Sequence, residues 1–213
     1  MKRLMVGVMS SLTAVAAFGF DWPSGGTVIV PAGETYVATE ADMAKVNALT
    51  SITIEGAVEG DEPKAAGVLE FQSCATAPKA GLLLGEGVVR KVGIQEWTLT
   101  GDNADFGGDF RICGGKVITR AASAFGKTDK TCKGAVYVES GATLAISSTS
   151  VKFCYRAVHI SGTGTGTTSA DKALSVVTSD SGCIALLYLD ADATVDIGTG
   201  ASVYWVGTQG KPF

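Results

Sequence analysis

A short pattern recurs along the C-terminal half of this chain and limits what it can fold into. Cys132 is followed at +4, +5 and +6 by Val136, Tyr137 and Val138, Cys154 by Val158, His159 and Ile160, and Cys183 by Leu187, Tyr188 and Leu189. Cys113 heads a weaker fourth copy with Val117, Ile118 and Thr119. The spacings of 19, 22 and 29 residues lie at or near the short end of the roughly 20–50-residue periods of proteins built from stacked repeats. A second echo agrees: Tyr137 to Ile146 (YVESGATLAI) matches Tyr188 to Ile197 (YLDADATVDI), 51 residues later.

Within each copy the residues are those of short strands. Runs such as Thr27 to Val30, Ile52 to Ile54, Val136 to Val138 and Thr194 to Ile197 are rich in β-branched side chains and bounded by Gly, Ser, Asp and Asn, which favour turns. A two-residue period puts Val136, Val138, Val158, Ile160, Leu187 and Leu189 on an inner face and Tyr137, His159 and Tyr188 in one outward column. One helix is expected at about residues 40–49. There Thr39 and Asp42 form a capping-box pattern ahead of Ala41, Ala44, Ala48 and Leu49 at helical spacing.

The first nineteen residues read as an address. Lys2 and Arg3 precede an uncharged run from Leu4 to Phe20, with small-x-small sites at Ala14-Val15-Ala16 and Ala17-Phe18-Gly19. That run is too short and too dilute in strong apolar residues to span a bilayer. Residues 1–19 are therefore expected to be a secretory signal and residues 20–213 a single domain, with the chain expected to be the N-terminal part of a longer product. The net charge is −4, and −6 without Lys2 and Arg3, which disfavours nucleic acid and anionic membrane as partners.

The runs GAVYVESGATLAISSTSVKF and IALLYLDADATVDIGTGASVYW, with the opening GGTVIVPAGETYVA, resemble right-handed parallel β-helix proteins of the secreted, pectin-lyase-like and autotransporter-passenger type. The resemblance covers most of residues 25–206 and rests on coil composition. It implies an all-β solenoid with one short N-terminal capping helix, secreted or displayed on a bacterial surface. An antiparallel β-sandwich uses similar residues and is the alternative fold.

Candidate chemical groups are few. A column of Cys113, Cys132, Cys154 and Cys183 is read as structural, either bridged between sequential neighbours or a ladder of free thiols, with Cys74 the odd one. Spacings near 20 lack the close cysteine pairs of zinc sites. His159 is the only histidine, and Tyr at the equivalent positions marks it as a ring on a ladder rather than a general base. No G-x-S-x-G elbow is present. Polygalacturonase-like β-helices carry Asn-Thr-Asp, Asp-Asp, Gly-His-Gly and Arg-Ile-Lys motifs; here His159 lies in Val-His-Ile, and neither an Asp-Asp pair nor an Arg-Ile-Lys occurs. The loop bearing Asp102, Asp105 and Asp109 is a weak calcium candidate, and no other cofactor is expected. Gly162 to Thr167 lacks the Lys-Ser/Thr ending of a phosphate loop and reads as flexible. Tyr137, His159 and Tyr188, with Trp97 and Trp205, are candidates for a sugar-facing strip. The expected function is a structural, adhesive or glycan-binding module without catalysis, its partners extracellular glycans or surface proteins. The alternative is a polysaccharide lyase or glycoside hydrolase.

Overall fold

The computed structural model describes residues 20–60, 62–147, 152–153, 155–166, 171–177, 181–184 and 186–205; the expected signal segment, residues 1–19, lies outside them. The chain enters through β1 (Thr27–Val30) and β2 (Thr35–Thr39), makes a 3-10 turn (Glu40–Asp42) and enters α1 (Met43–Ala48). It continues through β3 (Ser51–Ile54), β4 (Val68–Gln72), β5 (Leu83–Gly85), β6 (Val88–Val92), β7 (Glu96–Leu99), β8 (Asp109–Ile112) and β9 (Gly115–Thr119). Then follow β10 (Val136–Val138), β11 (Ala142–Ile146), β12 (Lys152–Phe153), β13 (Val158–Gly162), β14 (Leu174–Val176), β15 (Ser181–Ile184), β16 (Leu187–Ala193), β17 (Val195–Ile197) and β18 (Ser202–Trp205).

The fold is all-β, with one short helix. A seven-stranded sheet has the order β16-β13-β10-β8-β6-β4-β2 and a five-stranded sheet the order β17-β14-β11-β9-β7. Two three-stranded sheets have the orders β1-β3-β5 and β12-β15-β18. Every strand pair is parallel, and among the described residues the one antiparallel bridge is Val58–Lys64. Parallel pairing throughout is incompatible with the antiparallel sandwich, whose strands return by hairpins. From β12 onward the chain visits the seven-stranded, five-stranded and second three-stranded sheets in a fixed repeating order. Among the described residues no helix is long and apolar enough to cross a membrane.

The core is one apolar cluster running from Trp22 to Ile184. Val136, Val138, Val158 and Ile160 face into it as expected. Leu187 is only half-buried and Leu189 is 64% exposed, because β16 is the outermost strand of its sheet. The expected helix forms: Asp42 accepts from the Thr39 amide at 2.9 Å and from its hydroxyl at 2.7 Å, and a capping box is present. Its apolar face differs from the one expected. Ala41, Ala44 and Ala48 are exposed, while Met43, Val46 and Leu49 enter the core, since three-residue steps along the helix put the bulkier side chains on the face that meets the sheets.

The strand register overturns part of the cysteine repeat. Tyr137 pairs with His159 and His159 with Tyr188, and at the far end of the echo Ile146 pairs with Val176 and Val176 with Ile197. Cys113 does not belong to this series. Val117, Ile118 and Thr119 pair with Leu144, Ala145 and Ile146 in the five-stranded sheet. The segment that pairs with Val136–Val138 is Phe110–Ile112. Cys183 pairs with Lys152 and Tyr204, because the residues joining β12 to β13 and β15 to β16 differ in number. Cys154 lies outside the described residues. Among the described residues no single cysteine column forms.

A glycine series marks the repeat instead. Gly67, Gly87, Gly108 and Gly134 each stand two residues before an inward apolar side chain (Leu69, Val89, Phe110 and Val136), and the strand registers align them with one another. Each immediately precedes the segment whose amides bond the neighbouring strand, as Asp109 N does to Gly87 O at 3.0 Å and Val88 N to Gly67 O at 2.9 Å. A Cβ on Gly108 would overlap the Gly87 carbonyl oxygen, and one on Gly134 the Gly108 carbonyl oxygen. Extending the register, the next place in this series is held by Arg156.

Two buried cations serve the backbone where the chain turns between sheets. Lys91 is inward on β6 between Phe71 and Ile112. Its Nζ donates to the carbonyls of Gly93 and Gly114, each at 2.7 Å, and of Gln95. Burial pushes the Lys91 ammonium down to about 8, a tendency the three carbonyl oxygens oppose by favouring the charged form. Arg156, fully buried, donates to Gly108 O at 2.7 Å, Phe106 O at 3.1 Å and Lys127 O at 3.2 Å.

Candidate functional site

Alternation along the strands of the seven-stranded sheet sends one side chain outward between two inward neighbours. Register then aligns Glu70 (β4), Arg90 (β6), Arg111 (β8), Tyr137 (β10), His159 (β13) and Tyr188 (β16) in a single column. Six positions one strand apart span about 24 Å.

Side-chain contacts join the members of the column on either side of the Arg90–Arg111 step. Arg90 meets Glu70 at 2.7 Å. Arg111 lies over the Tyr137 ring, 4.2 Å from its centroid. The Tyr137 and His159 rings stack at 4.6 Å and 24°, and those of His159 and Tyr188 at 4.6 Å and 13°. His159 Nδ1 is 2.9 Å from Asp190 Oδ1.

Arg90 and Arg111 are direct cross-strand neighbours, a like-charge pairing that is unfavourable by itself. Carboxylates around the pair offset it: Glu70 on Arg90, and Glu139 at 3.9 Å and Asp109 at 4.0 Å from Arg111. Both Arg111 contacts are at the limit of an ion pair, so its guanidinium keeps donors for an incoming group. Burial, followed by the Asp109 carboxylate, pushes the Tyr137 hydroxyl up, so it stays a donor through the physiological range.

The three rings named from sequence are thus brought together. Their faces, however, are turned to one another or, for Tyr137, to the Arg111 guanidinium, and among the described residues only the outer face of Tyr188, 46% exposed, has neither a ring nor a guanidinium against it. Trp97 is in the core, 1% exposed, with Nε1 donating to Cys74 O at 2.7 Å and its ring edge-on to Phe71. The Trp205 backbone pairs with Ile184, and its side chain is outside the description. Arg90, Arg111 and Glu70 were not picked out from sequence. The signal was there: each is the residue at +3 from a series glycine, as is Tyr137.

Neither a family model, nor a curated protein, nor a solved structure matches this chain. The reading of the site therefore rests on its own geometry.

Asp102, Asp105 and Asp109 do not converge. Asp102 accepts from the Ser123 amide at 2.8 Å and Asp109 from the Ala135 amide at 2.9 Å, so each carboxylate bonds the backbone of a different later segment. Among the described residues no group of three His, Cys, Asp or Glu side chains is placed to hold a metal ion. The bridged form of the cysteine set also lacks support there: Cys74, Cys113 and Cys132 are free thiols.

Cys74 is 1% exposed and donates to Ala38 O at 3.3 Å. Burial, aided by the Glu40 and Asp42 carboxylates, pushes its thiol up from 9.0 to about 11. The folded state thus favours the protonated thiol. That stabilisation is complete below pH 9 and is lost as pH rises toward 11. The expected result is a denaturation midpoint that falls between pH 9 and 11 more steeply in the wild type than in Cys74→Ala. Equal slopes would remove Cys74 as a cause.

The contact of His159 with Asp190 has the form of a base beside an orienting carboxylate, two of the three groups that nucleophilic catalysis would require. Among the described residues His159 has no hydroxyl or thiol in hydrogen-bond contact. What the column offers chemically is a linear array of donors, acceptors and one open ring face.

Proposed function

We propose that this chain is a right-handed parallel β-helix, exported from a bacterial cell, that binds an extended glycan along its seven-stranded sheet without cleaving it. The repeating order in which the chain visits its sheets and the parallel step of one strand between repeats support the β-helix. The outward column supports the binding role and is the observation on which the reading depends. A carboxylate, two guanidiniums, a phenol, an imidazole and a second phenol in succession along about 24 Å offer partners to the hydroxyls of successive sugar units, and the open face of Tyr188 offers the apolar stacking surface that a sugar ring takes. Export follows from Lys2, Arg3 and the uncharged run after them.

The test is affinity electrophoresis and calorimetry against a panel of soluble polysaccharides, with an assay for released reducing ends and unsaturated products. Retardation by at least one polysaccharide without product release is expected, with binding about tenfold weaker in Arg111→Ala and Tyr188→Ala, a loss of about 1.4 kcal/mol. Product release would overturn the non-catalytic reading. Undiminished binding in both variants would move the site off the column. Protein recovered from the culture medium is expected to begin at Ala17 or Phe20.

A further inference from the structure

The outer surface of the five-stranded sheet carries a second, separate recess. Thr143 and Ala145 of β11 point outward by the alternation of the strand, yet both are buried. Thr165, in the segment after β13, lies over Thr143 and gives this cover: the Thr165 amide donates to Thr143 Oγ1 at 3.1 Å, and the two hydroxyls are 3.4 Å apart. This cover does not extend over β9 and β7, where Lys116 is only half-buried and Glu96 exposed. At the step between covered and uncovered strands lies a groove of about 490 Å3, within the range of roughly 300–1,000 Å3 typical of small-ligand sites.

Its lining is both polar and apolar. Lys116 Nζ lies 3.1 Å from Asp171 Oδ1 and 3.7 Å from Glu96 Oε2. The Asp171 side chain is 10% exposed, so this end of the trio is fixed, whereas Glu96 is open to a ligand. At the rim Ile94 is 88% exposed. Gly141, also lining the groove, has φ +85 and nothing within 4 Å of the place a Cβ would take, which keeps that wall open.

We propose that this groove is a second carbohydrate site, taking one or two units of a neutral sugar. An ammonium donor beside a carboxylate acceptor complements a vicinal diol: one hydroxyl accepts from Lys116 while its neighbour donates to Glu96. Ile94 packs against the C–H face of the ring, and Thr165 supplies a further hydroxyl. Neutral sugars fit better than anionic ones, because the exposed Glu96 carboxylate would repel an anion at the place where the ligand enters. The proposal rests on the reading of the chain as a glycan binder but uses none of the column residues.

The experiment is amide-resolved NMR titration of the full chain with cellotetraose, maltotetraose and mannotetraose. The expected result is saturable shifts of the Lys116, Gly141 and Thr165 amides with at least one of these sugars. Lys116→Met is expected to weaken that binding about tenfold. Ile94→Ala, a change at an exposed rim position that leaves folding intact, should weaken it about threefold, and Arg111→Ala should leave it unchanged. Shifts confined to Arg111, Tyr137, His159 and Tyr188, abolished by Arg111→Ala, would overturn the groove and leave the column standing. Absence of saturable shifts at Lys116, Gly141 and Thr165 with all three sugars would also overturn it, while polysaccharide retardation would still test the column independently.

Discussion

Gly108→Ala is expected to prevent stable folding, while the same change one residue earlier, Gly107→Ala, is expected to leave stability unchanged or slightly raised. The two glycines are chain neighbours in different surroundings. A methyl group on Gly108 would overlap the Gly87 carbonyl oxygen, and that oxygen cannot retreat because it accepts the Asp109 amide at 3.0 Å. Backbone on both sides leaves only displacement of a strand, costing about 3 kcal/mol or more. On Gly107 the nearest atom to the new methyl is Glu86 Cγ at 3.5 Å, an ordinary contact. There the main effect is a narrower unfolded ensemble, a gain of up to about 1 kcal/mol. Equilibrium denaturation of the two variants beside wild type measures both, and equal losses would remove the close-approach explanation.

The second large effect is expected at Arg156. Arg156→Met keeps most of the apolar stem but removes the donors to the carbonyls of Gly108 and Lys127, at about 1–3 kcal/mol for each buried group left unpaired, while Phe106 O keeps the Lys127 amide at 2.8 Å. Relief from burying the guanidinium returns part of this; burial alone pulls its pKa down, against the opposing pull of Cys132 and Asp109. A net loss of about 3 kcal/mol is expected, seen as a lower denaturant midpoint at unchanged slope. Arg156→Lys, with a single donor head, should recover only part of it. A Met variant as stable as wild type would show that those carbonyls find other partners.

Gly108 and Arg156 also show why one part of the fold was legible in sequence and another was not. The echo of Tyr137 to Ile146 in Tyr188 to Ile197 is real register, two strands apart in both the seven- and five-stranded sheets, because side-chain alternation is written directly into residue order. The capping box at Thr39 and Asp42 was readable for the same local reason. Cys113 misled because β9 is β-branched too, so the residues after it imitate the repeat while pairing in a different sheet. The glycine series is hard to see in the sequence because its last place holds Arg156, whose side chain is buried where the other members have none. Lys91 hid in the same way: a cation at an inward place contradicts the apolar pattern until the three carbonyls it serves are seen.

For the site, the ring column was recovered and the groove was not. Tyr137, His159 and Tyr188 announce themselves by offset. Lys116 and Glu96 meet by strand pairing and Asp171 joins them from just before β14, and spacing along the chain does not record that.

The register at the centre of this account can be read from the single histidine, whose imidazole protons give NMR signals with no competitor. With His159 between Tyr137 and Tyr188 at 4.6 Å on either side, both signals should lie well upfield of their unfolded positions. Each should also show nuclear Overhauser contacts to two tyrosine rings, one 22 residues before it and one 29 residues after it in the chain. Signals at unfolded positions, or contacts to neither ring, would contradict the parallel register and with it the binding column built on it.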